Sequence, residues 1–376
     1  MLSSVLQGRL NGQDVAIKVR HPNVEEQIGM DFIIMKWLAS IVDRTKGLEW
    51  LKLSETMSQF SATIASQTDL EVEGRHLYLF NHYFKKWSSV SFPKPIILTG
   101  SILVESFEFG DSVDKYTKTI TCDVKSQAVR DSSSDVKSVR KQDDISRTEM
   151  IRKCDLAHFI VTAGEDTYLK MLLQDNLMHA DLHPGNILIQ QHSAGKALAR
   201  NGVDSTSIGS EKPLVALNSA PAPLSIPEVV SSTRIVLVDA GMVARLVPDE
   251  QKNFIGLLEA MGEGKGDEAA DHVMKFSEGP RYAQTTKRAF RKDMKKLFST
   301  DCKGYGNNVD IGAVLRGILN LVRIHQITID ANYATLVMNC LCLDGMARSL
   351  LPSYNILDGA KPLLRFNRIF KRIPGQ

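Results

Sequence analysis

The chain has 376 residues, of which 43% are hydrophobic and 24% charged, and its 46 basic and 43 acidic side chains leave a formal net charge of +3. That composition is globular, long enough for one two-lobed domain or two smaller ones, and too near neutrality to demand a nucleic-acid partner. The five cysteines (Cys122, Cys154, Cys302, Cys340, Cys342) are odd in number and include no Cys-x-x-Cys pair, which argues for a reduced compartment and against a zinc site or a disulfide framework.

In chain order, Asn11-Gly12 lies between two strand-like runs, 5–10 and 14–19, and predicts a type I′ hairpin. The second run holds Val15-Ala-Ile-Lys18, ordinary as strand sequence but matching the strand by which kinases present a lysine to the phosphates of ATP. A helical stretch follows over 24–43, with Pro22 placed to open it. Asp31 and Lys36 interrupt its apolar run, and nothing in the chain approaches the roughly 18 apolar residues of a membrane span. A second helical stretch, 53–84, contains Asp69 and, one turn later, Glu73, both expected on the same cleft face. The Phe92-Pro-Lys-Pro95 turn and two short strands, 96–98 and 102–105, lead to a hinge expected at 107–110, with Glu105 as the hinge residue whose backbone meets the adenine. Residues 1–116 thus read as the smaller lobe.

Residues 117–150 are polar and lack apolar periodicity, so an insert without fixed structure is expected. Apolar spacing returns over 151–178 and predicts a long helix. It feeds the most informative stretch of the chain, His179-Ala-Asp-Leu-His-Pro-Gly-Asn186. Asp181 and Asn186 stand at the D-x-x-x-x-N spacing by which a phosphotransferase sets a base beside the acceptor hydroxyl and an amide oxygen on Mg²⁺. A strand-like Ile187-Leu-Ile189 follows, then a Ser-, Ala- and Pro-rich insert over 190–233, then a strand, 235–238, ending in Asp239-Ala-Gly241. Asp239 stands where a kinase carries its second metal-binding acid. Helical patterns over 254–261, 269–276, 289–298, 311–324 and 333–343 predict a helical lobe over 151–376. Gly262-x-Gly264-x-Gly266 falls after Asp239 and reads as a loop, not a phosphate cradle.

The chain resembles the UbiB-type, or aarF-domain, atypical kinases, associated with coenzyme Q biosynthesis in mitochondria and bacteria. The resemblance rests on 15–24, on Gln67-Thr-Asp-Leu-Glu-Val-Glu73, on the 179–186 loop and on Leu237-Val-Asp-Ala-Gly-Met-Val243, and covers nearly everything outside the two inserts. Asp-Ala-Gly in place of Asp-Phe-Gly points to the divergent animal mitochondrial branch. The resemblance implies an α/β (α+β) protein kinase-like fold, with a small mixed lobe and a large helical lobe and MgATP or MgADP between them. Asp181 would be the catalytic residue, Lys18 and Glu73 would pair at the phosphates, and Asn186 and Asp239 would hold Mg²⁺. It also implies a mitochondrial location, and lipids or coenzyme Q biosynthetic proteins as partners. Two departures matter. Relatives carry a Lys-x-Gly-Gln motif before the lysine strand and a glutamate where Gln67 stands; with only seventeen residues before Lys18 and no phosphate-covering loop, an N-terminally shortened chain is expected.

His183, two residues after Asp181, is where protein kinases usually carry a lysine, and it leans the loop towards a small or lipid acceptor or towards ATP hydrolysis; His179 reads as a structural loop histidine. Two other readings stay open: a catalytically inactive nucleotide-sensing scaffold, and a kinase of a soluble small molecule. The basic C-terminus (Arg365, Arg368, Lys371, Arg372) reads as a solvated tail, with peripheral membrane contact as the alternative.

Overall fold

The computed structural model describes residues 3–46, 53–117, 140–191, 233–276, 282–329 and 331–370. Strands β1 (Ser3–Leu10) and β2 (Gln13–Arg20) form the expected hairpin, in register from Ser3↔Arg20 to Leu10↔Gln13. Asn11 and Gly12 both adopt left-handed φ, 50° and 81°, as a type I′ turn requires. With β4 (Pro95–Leu98) and β5 (Ile102–Ser106) the hairpin makes an antiparallel sheet of order β1-β2-β5-β4. Three helices accompany it. Helix α1 (Val24–Asp43) packs on α2 (Leu53–Gln67), with the rings of Phe32 and Phe60 edge to face at 5.8 Å, and α3 (Leu70–Tyr83) lies across β4 and β5.

The single helix expected over 53–84 is two. The chain breaks at Thr68-Asp69 because Asp69 takes extended φ/ψ and its carboxylate accepts from the Glu71 N–H at 3.0 Å, capping α3. Asp69 is therefore a cap, not the cleft residue its spacing from Glu73 suggests. The break re-aims α3, so that Glu73, Leu77 and Phe80 face inward while Tyr78 stays exposed.

From α3 the chain crosses to a second sheet, of order β3-β9-β8-β6, comprising β3 (Val90–Ser91), β6 (Asp111–Ser112), β8 (Ile187–Gln191) and β9 (Thr233–Leu237), while β7 (Met178–His179) pairs with β10 (Val243–Ala244). Residues 107–110 bridge the sheets; a Cβ on Gly110 would come 3.0 Å from the Ile189 carbonyl oxygen. Helix α4 (Arg140–Lys170) begins inside the segment expected to lack fixed structure, so helix extends over the end of that polar stretch; residues 118–139 lie outside the described residues. Helix α4 continues into a π-helical turn, Met171–Asp175. Buried Lys170 pairs with Asp175 at 2.5 Å beneath the Phe84 ring, and Asn176 ends the turn in the left-handed region. Of the second insert, 192–232 lies outside the described residues, while Gln190, Gln191 and Thr233 belong to β8 and β9.

The remaining helices are α5 (Pro248–Glu263), α6 (Gly266–Lys275), α7 (Gln284–Asp301), α8 (Ile311–Ile324), α9 (Ala331–Leu350) and α10 (Ile356–Phe370). The glycine run is the α5–α6 connection, with Gly264 capping α5 at φ 69°. Helix α10 carries exposed Arg365 of the basic C-terminus, while Lys371 and Arg372 lie outside the described residues. It packs on α4 and α5 through buried Leu357, Ala360 and Leu364, and residues 371–376 lie outside the described residues. The result is a mixed, sheet-bearing N-terminal lobe and a large helical portion, a kinase-like two-lobed fold. One apolar cluster runs from Leu77 and Phe80 of α3 through α4 and β8–β9 to α9 and α10.

Candidate active site

Strand β2 presents Lys18 on the face turned towards α3. Its ammonium lies 2.5 Å from Glu73 Oε1 and 3.3 Å from Glu105 Oε1. All three side chains are buried. Glu105 departs from the hinge role. It sits in β5 opposite Ala16 of β2 and Pro95 of β4, flanked by strands on both sides, so its side chain is what reaches the site. Strand β5 pairs antiparallel with the lysine strand, and the register Lys18↔Leu103 with Ala16↔Glu105 puts Lys18 and Glu105 on one face. The bridge between sheets follows at 107–110, where Glu108 Oε2 accepts from Gln190 Nε2 at 2.9 Å.

The loop residues form the second half. Asn186 Nδ2 donates to the Asp181 carbonyl at 3.1 Å and to Asp181 Oδ2 at 3.2 Å. That commits the amide nitrogen and leaves the amide oxygen as the ligand atom. Pro184–Asn186 is a short 3₁₀ turn, held by the His183 ring accepting from Gly185 N–H (3.1 Å); His183 Nε2 lies 3.6 Å from Asp181 Oδ2. His179 is fully buried and accepts from the Asp181 N–H at 3.2 Å, while its own carbonyl accepts from Asn339 Nδ2 at 2.9 Å. Burial holds its imidazole below its usual pKa, against the pull of Asp239 and Asp181. It is a structural loop histidine that fixes Asp181.

Strands β8 and β9 join the halves. Ile187 pairs with Leu237, and the Val238 N–H donates to the Asn186 carbonyl at 3.0 Å, so Asp239 emerges beside Asn186. Asp239 has φ 63°, the left-handed region, and its Oδ1 accepts from Gly241 N–H at 3.3 Å. Ala240 is fully buried, and its carbonyl accepts from His76 Nδ1 of α3 at 3.0 Å. His76, which nothing in the sequence singled out, thus tethers this turn to the helix that carries Glu73.

Burial works against the Lys18 ammonium, yet Glu73, Glu105 and Asp239 together hold it well above its usual pKa, so it stays charged. Burial raises Glu73, and raises Glu105 to about 7 with a further push from Glu73, both opposed by Lys18. Three carboxylates around one ammonium leave excess negative charge, a setting suited to a divalent cation. Among the described residues no group of three or more His, Cys, Asp or Glu side chains forms a metal cage. An Asp–Asn oxygen pair fits Mg²⁺ better than a soft metal, because Mg²⁺ keeps waters and takes one or two protein oxygens plus phosphates. Among the described residues no helix is long and apolar enough to cross a membrane.

A profile of the ABC1 atypical kinase-like domain matches residues 2–272. Among characterised sequences, a Dictyostelium discoideum protein named "Probable serine/threonine-protein kinase abkC" is 26% identical over 391 residues, spanning 96% of this chain and 52% of that protein. An ABC1 family protein of Saccharomyces cerevisiae, described as mitochondrial, is 28% identical over 364 residues, spanning 93% of this chain and 50% of its own length. The chain thus spans about half the length of these relatives. Among solved structures, the complex of Rv3197 with erythromycin from Mycobacterium tuberculosis aligns with a TM-score of 0.50 at 12% identity, over 93% of this chain and 71% of that one; the likeness is one of fold.

Proposed function

Because the chain belongs to the ABC1 atypical kinase-like family, we propose that it binds MgATP or MgADP between the lobes and acts as an atypical kinase or ATPase. The observation that carries the reading is the Lys18–Glu73 pair, buried and within electrostatic reach of Asp239, on one side of the loop bearing Asp181 and Asn186. Lys18, oriented by Glu73, would neutralise the nucleotide phosphates. Asn186 and Asp239 would hold Mg²⁺ through oxygen, and the ion would supply positive charge that offsets the charge developing on the phosphates. Asp181, its carboxylate fixed by Asn186, would orient the attacking hydroxyl or water and take up its proton.

The acceptor we propose is a small or lipid hydroxyl, or water, since His183 rather than lysine follows Asp181; the role is coenzyme Q or lipid metabolism in mitochondria. The mitochondrial designation of the yeast relative supports the location. A second reading, a nucleotide sensor without turnover, draws support from Glu105, a further acid on the ammonium that the phosphates would engage.

The test is thermal unfolding with and without ATP or ADP and Mg²⁺, in the wild type and in Asp239→Asn. At a hundred times the dissociation constant a ligand stabilises by about 2.7 kcal/mol, so a Mg²⁺-dependent rise in Tm, lost in the variant, is expected. Asp181→Asn should then abolish phosphate release or transfer while leaving nucleotide affinity within a few-fold. Turnover retained in that variant would sink the role given to Asp181, and binding without turnover in the wild type selects the sensor.

A further inference from the structure

Helices α4, α9 and α10, with Leu258 of α5 and Ile311 of α8, line a cavity of about 40 Å³ in the helical lobe, with walls formed by aliphatic side chains such as Val161, Leu343, Met346 and Leu364. One polar group is out of place in it. Glu165 of α4 is 5% exposed, and its Oε2 accepts from the Tyr354 hydroxyl at 2.5 Å, but its Oε1 is buried with no partner. The other polar side chain there is occupied: the Tyr168 hydroxyl meets Cys340 Sγ at 3.2 Å. Helix α10 comes so close to the acid that a Cβ on Gly359 would collide with its carboxyl group.

A latch between α4 and the start of α10 needs only one carboxyl oxygen. The second is left desolvated, which costs more than an apolar side chain filling the same space. Water is a poor occupant: there is room for about three molecules at ~10–15 Å³ each, but each needs two to four polar partners and the walls offer one free oxygen. Burial holds Glu165 protonated well into the neutral range, its pKa raised to about 8 despite the Tyr354 bond. A protonated carboxyl both donates and accepts, and a hydroxyl answers both.

A second, smaller void of about 10 Å³ shares Leu343 and Met346 with the first and is bounded on its far side by Leu182 and Ile187. Those two residues adjoin Asp181 and Asn186.

We propose that the α4–α9–α10 cavity is a binding site for a small, uncharged, mainly aliphatic alcohol whose hydroxyl is held by Glu165, and that its occupancy is transmitted to the 181–186 loop through Leu343 and Met346. The site does not depend on what the Lys18 cleft binds. In a dry, close-packed lobe, an added chain displaces the two shared side chains towards the adjoining void, which lies against the loop.

The experiment uses the full chain with ¹³C-labelled methionine and isoleucine methyl groups, titrated with ethanol and, separately, ethylammonium; Met346 is assigned by Met346→Leu. The expected result is a saturable shift of the Met346 methyl with ethanol, accompanied by Ile187. Affinity should be about tenfold weaker in Glu165→Leu, and binding should be absent in Ala360→Leu, which fills the cavity. No saturable shift at Met346 in the wild type would overturn the site, as would ethylammonium binding at least as tightly as the alcohol. Unchanged affinity in Glu165→Leu would overturn the role of the acid. A shifting Met346 beside a silent Ile187 would overturn the coupling.

Discussion

Lys18 is one positive charge among Glu73, Glu105 and Asp239, and Glu105 is the member whose protonation changes near neutral pH. Its folded-state pKa of about 7 lies above the ordinary 4.5, so folding favours its protonated form. The stability it contributes is complete below about pH 4.5 and is lost as pH rises through 7, at roughly 1.4 kcal/mol per unit between those limits. Glu105→Gln should therefore flatten the fall in Tm between pH 5 and 7.5 without nucleotide, measured by calorimetry. A variant curve parallel to the wild type would refute it. The Lys18–Glu73 pair, 55 positions apart, was legible through the family resemblance and not through any local pattern. The side-chain role of Glu105 was not, because it depends on which strand lies beside β2 and in what register. Asp181 and Asn186 were legible for the opposite reason, standing five positions apart in one loop.

Among the elements, α3 bears two functions on one face, Glu73 towards Lys18 and His76 towards the Ala240 carbonyl. The bond between α3 and the Asp239 turn makes the position of Asp239 a property of the helix. His76→Leu, which keeps bulk but removes the donor, should cost about 1 kcal/mol in stability while weakening the Mg²⁺-dependent part of nucleotide binding several-fold. Comparing nucleotide affinity with and without Mg²⁺ checks this; equal losses in both conditions would show that His76 only packs. Periodicity gave the helices 24–43 and 311–324 to the residue. It merged α2 and α3 because both carry apolar spacing, and only the Asp69 carboxylate on the Glu71 N–H, a single cap, separates them. It missed α10 because Pro362 and the basic side chains around it disguise a face that buries Leu357, Ala360 and Leu364.

At the scale of the molecule, the two lobes share a core instead of meeting at a polar seam. Phe80 is fully buried, stacked on Phe92 at 4.8 Å with the His179 ring 6.1 Å away, so one side chain touches the helix of the small lobe, the crossing segment and the catalytic loop. Phe80→Ala should cost about 3–5 kcal/mol, and the wild type should unfold in one calorimetric transition. Two resolved transitions in the wild type would mean that the shared cluster does not couple the lobes. The two-lobed architecture was legible from the order of motifs, whereas this continuity was not, since contacts between residues eighty or more positions apart leave no local trace.

The left-handed backbone at Asp239 has a consequence for descent. At φ 63° a side chain other than those of glycine, asparagine or aspartate is strained, whatever the position does chemically. A lineage that gave up metal binding would thus not be free to place any residue there. Drift would be channelled into asparagine or glycine, because alanine or a branched residue would unsettle the turn and with it the His76 tether. Among related chains, silenced copies should be recognisable at this one codon by those two substitutions.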